Sequence, residues 1–352
     1  MSLTCYTQQE RQAMEVQIPG FEYLEKVREG GTATTWKAEQ VILHRPVYLK
    51  ILHTDGSKED AEELDRVLDT MKRVAALKLK GLVEVIDAGV QEGAFYVVTE
   101  YVAGTPLVDL LQEEKWLPER KILSIAQSIA RTLDYVWGEK HLFHANIKPD
   151  TILLPKSGTA MVSDLGLART AKIRDETTGE TRVIVLGTPN YMSPEQVRGS
   201  TNLDYRTDIY SLGATLYHMA TGCPPFEGSW DESTMFRHLH EQIPNPRDVR
   251  PQISIGLASL ITKMMMKDFV DRQTSWAEVQ ADIKKVRNAK IYLQKEGSGS
   301  LSTVKPPAAE RQNAASVRRR REVSPIANFI NLLKWAAIIA LWLYVTYDLI
   351  MF

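Results

Sequence analysis

At Pro118 the apolar residues of this 352-residue chain change their period, and that switch restricts the fold more than any other feature. Before it, FEYLEKV, TTWKAEQ, PVYLKIL, VEVIDAG and AFYVVTEYV are short β-branched and aromatic runs separated by turn residues, the pattern of an antiparallel sheet. One amphipathic helix interrupts them from Lys58 to Leu77, with an acidic first half and Ala61, Leu64, Leu68, Met71, Val74 and Ala75 at three- and four-residue steps. After Pro118 the pattern is mainly helical, in ERKILSIAQSIARTLDYVWGE, DIYSLGATLYHMATG, GLASLITKMMMKD and SWAEVQADIKKVRNAK. A small β-rich lobe (21–102) therefore precedes a larger helical lobe (103–295), an α+β architecture behind an N-terminal extension, residues 1–20, that has no apolar core of signal-peptide type.

Composition matters mainly at the C-terminal end. A chain 44% apolar and 25% charged is a folded protein rather than a disordered or fibrous one, but its net charge of −1 averages two unlike parts. Residues 296–352 carry seven Lys or Arg against four Asp or Glu, and the rest carries 36 against 40. The balance does not favour a nucleic-acid partner. Cys5 and Cys223 are too few for a disulfide framework and lack metal-ligand spacing, which fits a reducing compartment. Residues 296–325 form a flexible basic linker rich in Gly, Ser and Pro. Residues 326–352 begin with IANFINLLKWAAIIALWLYVTY, 22 residues with a single charge, Lys334, and with Trp335, Trp342, Tyr344 and Tyr347 as interfacial aromatics. The run is long enough for a transmembrane helix; Lys334 is the feature that suits an interfacial helix instead. With Arg318, Arg319, Arg320 and Arg321 just before it, the expectation is a single-pass C-terminal anchor, arginines on lipid headgroups and a cytoplasmic folded domain. Five residues follow Tyr347, so no extracellular sensor domain is expected.

Six motifs lie between residues 28 and 272. REGGTATTWKA follows the first strand, and Lys50 lies on a strand in VYLK. Then come HANIKPDTILL at 144–154, SDLGLA at 163–168, GTPNYMSPE at 187–195 and DIYSLG at 208–213, with an isolated Arg272. In order and spacing the set resembles the protein kinases, and GTPNYMSPEQ is most similar to the bacterial Ser/Thr kinases of eukaryotic type, over about residues 21–290. The resemblance implies a bilobal kinase-like fold, ATP and Mg²⁺ as ligands, and a cytoplasmic protein substrate or partner.

Residue by residue, the resemblance is uneven. Where the family has GxGxxGxV, this chain has Arg28, Gly30, Gly31 and Ala33, either an ordinary β-turn or a working phosphate cover to which Arg28 adds charge. Lys50 matches the lysine that holds the α- and β-phosphates, but Thr70 stands where the family's helix carries its glutamate, and Asp69 and Glu63 fall out of register for that role. Thr99, Glu100 and Val102 match the adenine pocket and hinge. In HANIKPDT, Asn146 replaces the aspartate base and has almost no basicity. Ala145 replaces the arginine that usually receives an activation-segment phosphate. Thr151 replaces the asparagine that binds a second Mg²⁺, with Asp150 beside it as an alternative ligand. Asp164 matches the Mg²⁺-binding aspartate, Lys148 the lysine on the γ-phosphate and Thr188 the substrate-facing threonine. Glu195 and Arg272 are expected to form a buried ion pair, and Asp208 to brace the catalytic-loop backbone. Thr170, Thr177, Thr178 and Thr181 belong either to a plain polar loop or to a phosphorylated one.

Departures at Arg28, Thr70, Asn146 and Thr151 together point to a membrane-anchored pseudokinase that binds nucleotide, transfers phosphate weakly or not at all, and acts as a scaffold or allosteric partner. Retention of Lys50, Lys148, Asp164 and Thr188 supports the alternative, an active Ser/Thr kinase with unusual residues. A third expectation is a membrane scaffold that binds no nucleotide.

Overall fold

The computed structural model describes residues 16–54, 57–156, 158–174, 181–228 and 231–298. Residues 318–321 and 326–352, and most of the linker and of the N-terminal extension, lie outside the described residues.

The first lobe is a five-stranded antiparallel sheet in the order β1-β2-β3-β5-β4, built from β1 (Phe21–Glu29), β2 (Ala33–Gln40), β3 (Arg45–Leu52), β4 (Val85–Gln91) and β5 (Ala94–Glu100). Strand side chains alternate between faces, so neighbours serve different cores. Val98 packs with Val47, Leu49 and Ala38 on one face, whereas Val97 packs with Leu52 and Phe95 under α1 (Lys58–Ala75) on the other. The buried stripe of α1 is Leu64, Val67, Met71 and Val74. Ala61, expected in that stripe, is exposed instead, in the first turn of the helix.

A three-stranded sheet, β6 (Gly104–Pro106), β7 (Ile152–Pro155) and β8 (Met161–Val162), carries the two loops that matter. Residues 144–151 lead into β7 and Asp164 follows β8, so pairing of Ile152 with Val162 sets the loops side by side. Beyond α2 (Leu107–Glu114) and α3 (Glu119–Lys140), the hairpin β9 (Arg169–Arg174) and β10 (Thr181–Leu186) precedes α4 (Pro194–Val197). The centre of the second lobe is α5 (Tyr205–Thr221), on which Ile209, Tyr210, Leu212, Ala214 and Leu216 are all fully buried. Around it lie α6 (Asp231–His240), α7 (Pro246–Val249), α8 (Ile255–Met264) and α9 (Trp276–Ser298). A Cβ on Gly213 would lie 2.8 Å from Met264 Cβ, so glycine is what lets α8 pack this closely on α5. The compact unit formed by the two lobes ends at Gln294, while α9 runs on to Ser298, into the stretch expected to be linker. Among the described residues no helix is long and apolar enough to cross a membrane.

Candidate active site

Lys50 in mid-β3 and Asp164 after β8 face each other across the cleft and form an ion pair, each side chain about 15% exposed. Among the described side chains no carboxylate of α1 takes part. Thr70 lies against Gly166, where a Cβ would come 2.7 Å from its Cγ2, and its hydroxyl turns back to Arg66 O at 3.0 Å. Gly166 has φ +82°, so this turn after Asp164 requires glycine on conformational as well as steric grounds. Asp69 is exposed and pairs with Lys72 at 3.5 Å. Glu63, buried, accepts from Thr170 N at 2.6 Å and Thr170 Oγ1 at 2.7 Å, and pairs with Arg66 at 2.8 Å. It therefore ties α1 to β9, a role that sequence reasoning did not assign.

The loop at 144–151 is shaped from below. Asp208, fully buried on α5, accepts from His144 N at 2.6 Å and Ala145 N at 2.7 Å. Burial pushes its carboxyl up to about 7, against the pull of those two hydrogen bonds. The pair of bonds holds Ala145 at φ +60°, a left-handed conformation that costs an L-residue roughly 1 kcal/mol. His144 Nδ1 accepts from Asn146 N at 3.2 Å, which fixes the tautomer with the proton on Nε2, donated to Ser163 O at 2.7 Å. The loop and the Asp164 turn are thus joined through a buried imidazole whose pKa burial lowers.

Lys148 Nζ donates to Thr188 Oγ1 at 2.7 Å, bringing together two residues singled out from different motifs. Burial lowers the Lys148 pKa, while Asp150 and Asp164 oppose that shift. Asn146 shares this end of the site, since a Cβ on Gly187, the residue before Thr188, would come 3.4 Å from Asn146 Oδ1. An amide here can hydrogen-bond a hydroxyl but cannot remove its proton.

The two metal positions differ. Asp164 fits a divalent cation: it is a carboxylate on a tight turn, with one oxygen on Lys50. Thr151 does not fit. Its side chain is buried, its proton is donated to Asn146 O and Lys148 O, both at 3.1 Å, and Lys148 N donates to it at 3.2 Å. It keeps the loop in shape and turns its oxygen into the loop. The alternative, Asp150, pairs with Arg28, whose other nitrogen reaches Asp109 at 3.2 Å. Arg28 therefore points at carboxylates of the second lobe, where the sequence had suggested a phosphate.

Gly30 closes the β1–β2 turn by donating to Ala33 O at 3.0 Å, and a Cβ on Gly31 would meet nothing within 4 Å. Thr99, buried, lines the space behind Asp164 with Val85, Val97 and Leu165. Glu100 N donates to Glu84 O and Glu100 Oε1 accepts from Glu84 N, both at 3.0 Å; burial pushes this carboxyl up. Val102 packs with Val83 and Leu153 just past β5. Below the site, Arg272 pairs with Glu195 through two bonds at 2.6 and 2.8 Å. Burial alone would raise the Glu195 pKa, but the hydrogen bonds and charge of Arg272 hold it below its usual value. Thr177 and Thr178 lie outside the described residues.

The family model for the protein kinase domain matches residues 21–283. A probable serine/threonine-protein kinase of Clostridium perfringens is 36% identical over 267 residues, 76% of this chain and 38% of that protein. The serine/threonine-protein kinase PknB of Mycobacterium leprae is 30% identical over 301 residues, 81% of this chain and 48% of its own length. The chain thus spans less than half the length of these relatives. Among solved structures, the kinase domain of Mycobacterium tuberculosis PknI superposes with a TM-score of 0.61 at 21% identity, over 77% of this chain and 97% of that one, a likeness of fold. Motif order, bilobal fold and these matches agree: the chain belongs to the protein kinase family, among the bacterial serine/threonine kinases of eukaryotic type.

Proposed function

We propose that this chain is a membrane-anchored pseudokinase that binds adenine nucleotide through Lys50 and Asp164, transfers phosphate slowly or not at all, and acts on a protein partner as a scaffold or allosteric regulator. One observation carries the reading: the loop at 144–151 has a complete set of supporting bonds, yet the side chain it presents beside Lys148 and Thr188 is the amide of Asn146. Loss of a general base typically lowers rate by about 10²- to 10⁴-fold. The anchor rests on the apolar run at 326–347 and on Arg318 to Arg321.

A second reading, slow but genuine phosphotransfer, is favoured by the 2.7 Å bond from Lys148 to Thr188 and by the Lys50–Asp164 pair. Phosphoryl transfer depends more on positioning and charge than on proton removal. Full-length protein in detergent, assayed with radiolabelled ATP and Mg²⁺, separates the two readings. Incorporation that depends on Lys50 at ordinary kinase rates, about 1 to 100 s⁻¹, would overturn the pseudokinase reading. A nucleotide-dependent thermal shift that Lys50→Ala abolishes supports it, and absence of any shift overturns nucleotide binding. The variant Asn146→Asp is expected to raise Lys50-dependent transfer by at least about tenfold, since Asp208 and Thr151 already hold the loop around this position. Alkaline extraction of membranes tests the anchor: release of the protein into the supernatant would overturn it.

A further inference from the structure

Three ion pairs span the cleft, Lys50–Asp164 near its floor and Arg28–Asp150 with Arg28–Asp109 at its mouth. With Lys148, the site holds three cations and three carboxylates, a balanced set before any ligand enters. The outer pairs occupy the side of the cleft where Thr151 offers no oxygen to a metal.

We propose that the guanidinium of Arg28 stands in for the second divalent cation of the nucleotide site, so that this chain takes an adenine nucleotide with one divalent cation and not two. The proposal rests on the nucleotide-binding reading above.

Three observations converge on it. Arg28 is permanently charged and is held from two sides, by Asp150 of the loop at 144–151 and by Asp109 of α2. A divalent cation on Asp150 would have to displace that charge. Thr151, at the position from which the family supplies a ligand, has its hydroxyl proton and one lone pair engaged by the loop backbone. Small divalent cations such as Mg²⁺ or Mn²⁺ demand near-octahedral oxygen coordination, and Asp150 alone is a poor start on it. Finally, a guanidinium has five donors in a planar fork that suits carboxylate and phosphate alike. Two nitrogens of Arg28 are on carboxylates, which leaves further N–H groups of the guanidinium available to nucleotide phosphates. The side chain is 38% exposed, so the pair contributes little to folding and Arg28 is replaceable without loss of the fold.

The test counts metal ions and needs no turnover. Full-length protein in detergent, saturated with a non-hydrolysable ATP analogue, is titrated with Mn²⁺ and free Mn²⁺ is followed by electron paramagnetic resonance. The expected result is one tightly bound Mn²⁺ per chain, lost in Asp164→Asn. In Arg28→Gln, with Asp150 freed, a second Mn²⁺ is expected to bind at least tenfold more tightly than any second ion in the wild type, and adding Asp150→Asn removes it. Two Mn²⁺ of comparable affinity in the wild type, or an Arg28→Gln titration identical to wild type, overturns the proposal and leaves nucleotide binding standing. Failure of the analogue to bind at any Mn²⁺ concentration overturns both.

Discussion

All five N–H donors of Arg272 have acceptors: Glu195 takes two, and Met266 O, Arg206 O and Lys267 O take the others at 2.8 to 3.3 Å. The guanidinium also lies over the Tyr210 ring, 4.9 Å from its centroid. Replacing a buried ion pair whole is often harmless, whereas removing one partner strands the other charge at a cost of about 3 to 5 kcal/mol. Arg272→Met is therefore expected to lower the unfolding free energy from urea titration by that amount, because Glu195 is left buried with only Thr207 as a side-chain donor, at 2.9 Å. Glu195→Gln with Arg272→Met is expected to recover part of the loss, and an additive double variant would show that the two side chains are not coupled. This pair was legible in the sequence because Glu195 stands in a motif and the family resemblance pairs it with the isolated Arg272. Arg28 was not, since its rotamer and the angle between the lobes choose its partners, and neither leaves a periodic trace.

At the scale of elements, two contacts determine where helices sit. The first is α8 on α5 at Gly213, where Gly213→Ala would put a methyl 2.8 Å from Met264 Cβ and Met265 Cγ. Met265 can move, but the Met264 Cβ is fixed to its backbone, so the variant is expected to lose about 1 to 3 kcal/mol in chemical denaturation. The second is the tie from Glu63 on α1 to Thr170 on β9. Glu63→Ala is expected to raise hydrogen exchange in α1 and in residues 169–174 together, and a rise in only one of them would show that the tie does not couple the elements. The five strands of the first sheet and the long helices were legible, from the β-branched runs and the three- and four-residue steps, whereas the short strands β6 to β10 carry too few residues to show a period. The tie was not. Spacing alone places Glu63 on the same face as Thr70, two turns earlier, and nothing in that spacing says that a strand of the chain returns to meet it.

Stability against pH is a property of the whole molecule, and here two buried groups act in opposite directions. His238 is fully buried, with Tyr210 Oη at 2.9 Å from Nδ1, and desolvation followed by the charge of Lys267 takes its pKa down to about 3. A depressed imidazole stays neutral in the fold and takes up a proton on unfolding below about 6.5. Its contribution is therefore present above about pH 6.5 and lost as the pH falls towards 3, at up to roughly 1.4 kcal/mol per unit. Asp208, raised to about 7, has the reverse sign: the folded state holds its proton more tightly, so acid favours folding over much of the same window. The difference between wild type and His238→Gln isolates the first effect. The gap in unfolding free energy is expected to change steadily between pH 6.5 and 4, and parallel curves would rule the assignment out.

The two bonds from Asp208 to His144 N and Ala145 N have a consequence for substitution. They hold the loop through its main chain, so the bend at 144–145 does not depend on which side chains stand at 145 and 146. Substitutions at 145 and 146 can therefore alter the chemistry of the loop and leave that bend in place.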